Sequence, residues 1–221
     1  MPSKEEQTTM KTIAVFGASG NTGKPFTEMA LKDGYAVKTL VRTPARLGLR
    51  HPNLQIIQGD ITDFAKVEET IRGTDAVVSL IGAASGSPNN IKVLATEHII
   101  TAMHKNNLKR FIRLGSAIFG VFAEGDKLNI GRRLMASLAK TVMGVMVDDE
   151  RRSVSLTKQS DLDWTVVRAP FLNNQPPKGT YRVGHLGIDA GSHVTRTDLA
   201  AFVMDEFRNA RYVRQMPLVS N

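Results

Sequence analysis

The reading of the fold turns on TIAVFGASGNTGKPFTEMALKDG, residues 12–34. Its opening, TIAVFG (12–17), is a short apolar run with β-branched and aromatic side chains, the composition of a buried strand. The run stops at Gly17; Gly20 and Gly23 follow at intervals of three, and a stretch of helical character, FTEMALKDG, comes next. Glycine at the first place permits a tight turn, at the second lets the backbone approach a pyrophosphate, and at the third lets the helix pack on the strand. The helix N-terminus then offers unpaired N–H groups and a partial positive charge to phosphates. Ser19, Asn21 and Thr22 add side-chain donors. Three spaced glycines also occur in ordinary turns; the strand before them and the helix after them make the motif a nucleotide-binding signature.

Working outward, five further apolar runs recur: AVKTLVR (36–42), LQIIQGD (54–60), DAVVSLIG (75–82), RFIRLGS (110–116) and DWTVVRAP (163–170). Between the fourth and fifth strands, Leu94, Ala95, His98, Ile99, Ala102 and Met103 share one helical face. Strand and helix in alternation predict an α/β fold, a doubly wound parallel sheet (a Rossmann fold) with helices on both faces, in a single domain. The length of 221 residues, 42% of them hydrophobic, suits one sizeable core. Residues 1–10 read as a flexible leader and residues 11–221 as the domain.

Several classes are excluded. No stretch approaches the roughly 20 uninterrupted apolar residues of a membrane span. The leader carries Glu5 and Glu6 and lacks the apolar centre of a secretion signal. With no cysteine, disulfides, thiolate metal sites and a cysteine nucleophile are ruled out. No cluster of histidines and carboxylates has ligand spacing, so no metal is expected. A cytoplasmic monomer or homodimer is the expectation. The net charge of +8 favours anionic partners. The basic residues are scattered, however, and only three tyrosines and one tryptophan are available to stack bases. A nucleotide cofactor or small anionic molecule is expected rather than nucleic acid.

The ends of the strands carry the candidate site. After the second run come Arg42, Thr43 and Arg46, where many nucleotide sites have an acidic residue for the ribose. Two guanidinium groups suit a 2′-phosphate, which points to NADPH over NADH; a solvated basic loop is the alternative. In GDITD (59–63), Asp60 can accept from an adenine amino group while Ile61 packs on the ring, with Thr62 or Asp63 capping the next helix. Leu80, Ile81 and Gly82, in a glycine- and alanine-rich segment, leave room for a cofactor against the backbone. His98, on an apolar helix face, reads as a structural histidine. Asp148, Asp149 and Glu150 read as the acidic start of a helix rather than a catalytic carboxylate pair. In residues 121–147, Leu134, Met135, Leu138 and Val142 fall at helical spacing. That segment is either a core-packing helix with a basic side or a mobile lid or oligomer face.

Taken together, GASGNTG, LVRTPARL, GDITD, DAVVSLIG, RLGSA, DWTVVRAPFLNNQPPKGTYRV and VTRTDLAAF resemble the short-chain dehydrogenase/reductase superfamily in its atypical branch. The resemblance spans residues 11–219 and is strongest to biliverdin-IX-beta reductase/flavin reductase-like and NmrA-like NAD(P)H-binding proteins. It implies that Arg42 and Arg46 hold the adenosine phosphate and that Ser116, with Ala117, lies beside the nicotinamide. It also implies that the loop 168–173, with Pro170, Phe171 and Leu172, borders that end. Substrate-side elements are expected around 117–147 and 170–195. Two departures stand out. None of Tyr35, Tyr181 and Tyr212 has Lys four residues on, so the superfamily's Tyr-x-x-x-Lys acid is missing. Val154 stands where biliverdin-type reductases carry a histidine, with Lys158 as a polar substitute or a solvated surface residue.

What remains is chemistry that needs little acid–base machinery. The resemblance implies an NADPH-dependent reductase that passes hydride to a flavin, a quinone or a similar conjugated or anionic acceptor, with the proton drawn from solvent. Ser116 would position the carboxamide or substrate, and Phe119, Phe122 or Phe171 would supply an apolar wall. The alternative is an NADP(H)-binding redox sensor that regulates a partner without turnover.

Overall fold

The computed structural model describes residues 11–82, 88–117, 121–127 and 130–221, with the backbone alone at 130–140 and 142. The six apolar runs become β1 (Thr12–Phe16), β2 (Ala36–Val41), β3 (Leu54–Gln58), β4 (Ala76–Ser79), β5 (Arg110–Ser116) and β6 (Asp163–Ala169). All six are parallel, in the order β3-β2-β1-β4-β5-β6. The helices are α1 (Gly23–Lys32), α2 (Phe64–Ile71), α3 (Ile91–Lys105), α4 (Ile130–Gln159) and α5 (Arg196–Asn209).

The side-chain period of a strand explains the two layers. In β1, Ile13 and Val15 face α1 and α5, packing with Phe26, Ala30, Phe202 and Val203. Ala14 and Phe16 face the other way, onto Val67 and Ile71 of α2, Ile99 and Met103 of α3 and Val154 of α4. A sheet covered on both faces has no wholly polar side, so its inner strands β1 and β4 read as apolar runs, while the edge strand β3 keeps exposed Gln55 and Gln58. The expected single-domain, doubly wound sheet is therefore present.

Beyond β6 the chain adds four strands of three residues each, β7 (Phe171–Asn173), β8 (Arg182–Gly184), β9 (His193–Thr195) and β10 (Leu218–Ser220). β10 lies parallel to β6, and β8 runs antiparallel along its outer side, completing an eight-stranded sheet. β7 and β9 form a separate parallel ribbon. Such short strands are set by their partners and carry no periodicity of their own.

Helix ends follow local chemistry in two cases. Asp63 accepts from the amides of Ala65 (3.0 Å) and Lys66 (3.3 Å), capping α2. Thr195 caps α5 through the Asp198 amide at 3.1 Å. The acidic run 148–150 departs from its sequence reading: it starts no helix. It lies inside α4, beyond a kink at Met143 (φ −124°, ψ 29°). Asp149 instead caps α3, accepting from the amides of Lys92 (3.0 Å) and Val93 (2.9 Å). The N-cap residue of α3, Asn90, makes no side-chain capping bond, so the cap comes from a helix packed beside it.

A buried network fastens the C-terminal half to the sheet. Glu206, on the last turn of α5, accepts from Arg110 of β5 (2.6 Å), Thr165 of β6 (2.9 Å) and the Arg211 (3.0 Å) and Tyr212 (3.1 Å) amides. Its side chain is 1% exposed. Removing one partner of such a pair leaves a buried, uncompensated charge, a loss of about 3–5 kcal/mol. Glu206→Ala is therefore expected to destabilise the protein by about that much in urea unfolding; a change below about 1 kcal/mol, the scale of an exposed pair, contradicts the network's importance.

Candidate functional site

A cleft of about 480 Å³ opens across the carboxyl ends of β1 to β4. This is where the chain leaves β1 on one side and β4 on the other, the switch point at which open α/β sheets bind ligands. Its walls come from residues the sequence singled out: Gly17, Ser19 and Gly20 on one side, and Arg42, Thr43 and Arg46 on another. Asp60 and Ile61, then Leu80, Ile81 and Gly82, complete it, with Pro88 and Ile91 beside them.

The glycine loop is built by close backbone approach. Gly17 has φ +84°, and a Cβ there would lie 2.7 Å from the Leu80 carbonyl carbon. A Cβ on Gly23 would lie 2.0 Å from the Gly17 oxygen, so only glycine lets α1 start where it does. Thr22 and Gly23 are buried as part of this packing, whereas Asn21 is exposed at the loop. Neither Thr22 nor an acidic first-turn residue satisfies the start of α1 through its side chain. An uncapped helix N-terminus behind a glycine cradle fits a pyrophosphate, which is the test a nicotinamide dinucleotide has to pass here.

Arg42 and Arg46 are exposed at the rim, after β2 and in a short 3₁₀ turn over Pro44–Arg46. The Arg42 Nε lies 3.8 Å from Asp60 Oδ2, with both side chains well exposed. Such a pair contributes little and yields readily to a stronger anion. The other Asp60 oxygen accepts from the Thr62 amide (2.9 Å) and hydroxyl (2.8 Å), which fixes the turn. His98 is structural, as its apolar setting suggested: its Nδ1 bonds the Ile61 carbonyl at 2.9 Å, and its ring packs edge-on to Phe64.

Farther along the sheet, Ser116 and Ala169 are register partners at the ends of β5 and β6, and the Ala117 amide donates to the Ala169 carbonyl at 3.0 Å. Ser116, Ala117 and Pro170 thus meet beyond the cleft rather than on its wall. Phe171 and Leu172 enter the β7–β9 ribbon, where the half-exposed Phe171 ring lies 5.7 Å from that of His193. Phe122 borders a second cavity of about 480 Å³, with Val154 on its wall and Lys158 at its edge. Val154 is buried in the core and does not line the first cleft. Phe119 lies outside the described residues.

The sequence reading missed two polar clusters. In the first, Glu150 is fully buried; one oxygen accepts the Ser116 amide at 3.0 Å and the other pairs with the Lys92 ammonium. Arg113 stands behind it, 3.9 Å away. Burial lowers the Arg113 pKa, against the pull of Glu150 and Asp149. In the second, Arg168 pairs with Asp126 at 2.5 Å, the two side chains 1% and 2% exposed. Asp126 also accepts from the Ala123 (2.8 Å) and Leu186 (2.9 Å) amides, latching two loops to β6. The available signal was Arg113 and Arg168 standing inside apolar strand runs, since a buried cation requires a partner.

Residues 17–210 match the NAD(P)H-binding family. Among relatives, an uncharacterized chloroplastic protein of Arabidopsis thaliana is 30% identical over 190 residues, covering 81% of this chain and 66% of its own. Across the curated relatives the chain spans between 32% and 66% of their lengths. Among solved structures, an oxidoreductase of Lactococcus lactis superposes with a TM-score of 0.77 at 14% identity, covering 95% of this chain and 90% of its own. A wide-type short-chain dehydrogenase/reductase of Veillonella parvula in complex with NADP superposes with a TM-score of 0.73 at 19% identity, covering 96% and 94%. These two likenesses are likenesses of fold. No helix among the described residues is long and apolar enough to cross a membrane.

The Asp126 latch has an acid-dependent signature. Burial pushes the carboxyl up, but hydrogen bonds from Arg168 and from the Ala123 and Leu186 amides outweigh it and hold the group below the usual carboxylate range. Its contribution is complete above the unfolded value, about 3.9, and is lost as pH falls through the lower folded value. Asp126→Asn removes the charge at every pH, and the Leu186 amide is expected to exchange about tenfold or more faster near neutrality, the scale of a lost charge-assisted bond. Unchanged Leu186 protection in hydrogen-exchange NMR contradicts the latch.

Proposed function

The chain belongs to the NAD(P)H-binding family, and from that premise we propose that it is an NADPH-dependent reductase of a flavin, a quinone or a similar conjugated acceptor. The observation that carries the reading is the pair Arg42 and Arg46, with Thr43, on the same cleft as the glycine loop. The NADP held by the Veillonella relative supports the same cofactor class.

On this reading each residue takes a role. The Gly17–Gly23 loop and the α1 N-terminus bind the pyrophosphate. Arg42 and Arg46 take the 2′-phosphate with charge-assisted hydrogen bonds, and Thr43 adds a hydroxyl. Asp60 and Ile61 receive the adenine, while Leu80, Ile81 and Gly82 let the nucleotide lie close to the backbone. Ser116 and Ala117, with Pro170, Phe171 and Leu172, flank the nicotinamide end. The reduced nicotinamide, when bound, supplies a hydride.

The choice of acceptor rests on the missing Tyr-x-x-x-Lys acid. Tyr35 packs on Phe207, and Tyr212 lies against Phe202. Tyr181 bonds Asp205, and burial pushes its pKa up. None of the three has a lysine four residues on. A carbonyl that needs a positioned acid is thus poorly served, whereas a flavin or quinone accepts hydride readily and takes its proton from water. Phe171, half-exposed beside β6, offers a flat apolar surface for such a ring. The same lack of a tyrosine acid favours a second reading, an NADP(H)-binding regulator without turnover.

Steady-state NADPH oxidation against a panel of flavins and quinones separates the two. Turnover is expected; tight NADPH binding with every acceptor inert selects the regulator. Arg42→Glu with Arg46→Glu is expected to weaken NADPH about 100-fold, two charge-assisted contacts being lost and two like charges introduced, and NADH less than about threefold. Equal weakening of the two nucleotides in titration calorimetry contradicts 2′-phosphate recognition. Ser116→Ala is expected to lower kcat about tenfold through one lost hydrogen bond; unchanged turnover of every accepted substrate rejects its positioning role.

A further inference from the structure

Four charged side chains from three elements meet at the carboxyl end of β5: Lys92 of α3, Arg113 of β5, and Asp149 and Glu150 of α4. Asp149 is committed to the Lys92 and Val93 amides. Arg113 is turned inward, donating to Thr96 (3.2 Å) and Thr157 (3.4 Å). Glu150 is 0% exposed, with one oxygen on the Ser116 amide and the other on the Lys92 ammonium. Lys92, at 13%, is the outermost charge of the group, one residue beyond Ile91 on the cleft wall. Buried ion pairs are commonly no more stable than apolar residues of the same volume. Stability alone therefore does not explain this one.

Its place suggests a task. A dinucleotide lying across the switch point starts over β2 and β3 and ends over β4 and β5. On the proposed reading the nicotinamide half falls at Ser116, beside the pair. The oxidised ring carries a positive charge and the reduced ring is neutral, so a nearby ammonium acts on one and spares the other.

We propose that Lys92, held in place by Glu150, makes the site prefer the reduced over the oxidised nicotinamide nucleotide. Lys92 is the discriminating charge, and Glu150 is its positioning residue, compensating the ammonium from the buried side and tying it to the Ser116 amide. The inference rests on a nicotinamide nucleotide occupying the cleft, as in the proposed function, but on no particular acceptor.

The test measures the dissociation constants of NADP⁺ and NADPH separately by titration calorimetry, with circular dichroism melting as the fold control. The wild-type protein is expected to bind NADPH more tightly than NADP⁺. Lys92→Met is expected to lower the NADP⁺/NADPH dissociation-constant ratio about tenfold, the scale of one unit charge several ångströms away in a partly buried site. Lys92→Arg, which keeps the charge, is expected to hold the ratio within about threefold of wild type. Glu150→Gln is expected to move the ratio in the opposite direction to Lys92→Met, because the ammonium loses its counter-charge. If Glu150→Gln does not fold, the two Lys92 variants still decide the matter. A ratio unchanged in Lys92→Met, with both nucleotides weakened by the same factor, shows a merely structural role and overturns the proposal. Failure of the wild-type protein to turn over any acceptor overturns the reductase reading alone, and the ratio continues to test Lys92.

Discussion

The constraint on which the cleft depends is the packing of the first residue of α1 on the loop that precedes it. A side-chain carbon on Gly23 would sit 2.0 Å from the Gly17 oxygen, and one on Gly17 would sit 2.7 Å from the backbone of Leu80. Three pieces of backbone therefore close on one another with nothing between them. Because β4 is held against this loop, the cleft has its floor at the switch point. Because α1 begins so close to the sheet, its uncapped N-terminus faces the space between the strand ends. Every other candidate side chain, from Arg42 to Ile81, is placed by a parallel strand in register with β1 or its neighbours.

Around that frame, buried charges tie together parts of the chain that are far apart in sequence. Arg110 joins β5 to the end of α5 through Glu206, and Arg168 joins β6 to two loops through Asp126. Arg113 and Lys92 bring β5 and α3 onto α4 through Glu150. Each arginine lies on a strand made mostly of apolar residues. Such pairs add little net stability when complete and cost much when broken. They consequently define which elements may meet rather than how firmly the core holds. The Glu150 and Asp126 clusters lie toward the carboxyl ends of β5 and β6.

Much of the fold was legible because strands in the interior of a covered sheet are mostly apolar, and α2 announces its own cap at Asp63. The lining of the cleft was legible for a similar reason: Gly17, Gly20, Arg42 and Asp60 stand at or just past the ends of their own strands. The rest was not local. The three-residue strands β7 to β10 have too few positions to show a period. Asp149 caps a helix 56 residues away, and Glu150 meets an amide 34 residues away, so the acidic run looked like the start of its own helix. Val154 lies where the resemblance set a histidine, and the fold gives it to the core.

By itself, the sequence determined the doubly wound sheet, the glycine loop and the basic rim at the second strand. Each depends on residues within a few positions of one another, and on period, turn geometry and charge that a single segment expresses. Only the tertiary structure decided that Lys92, Arg113 and Glu150 share the end of β5 with Ser116, and that Asp126 closes on Arg168. Those neighbours are chosen by helix packing across the sheet. The chain carries no local mark of a charge's partner when that partner is brought in from another element, because burial itself, which makes the pairing obligatory, exists only once the layers have closed.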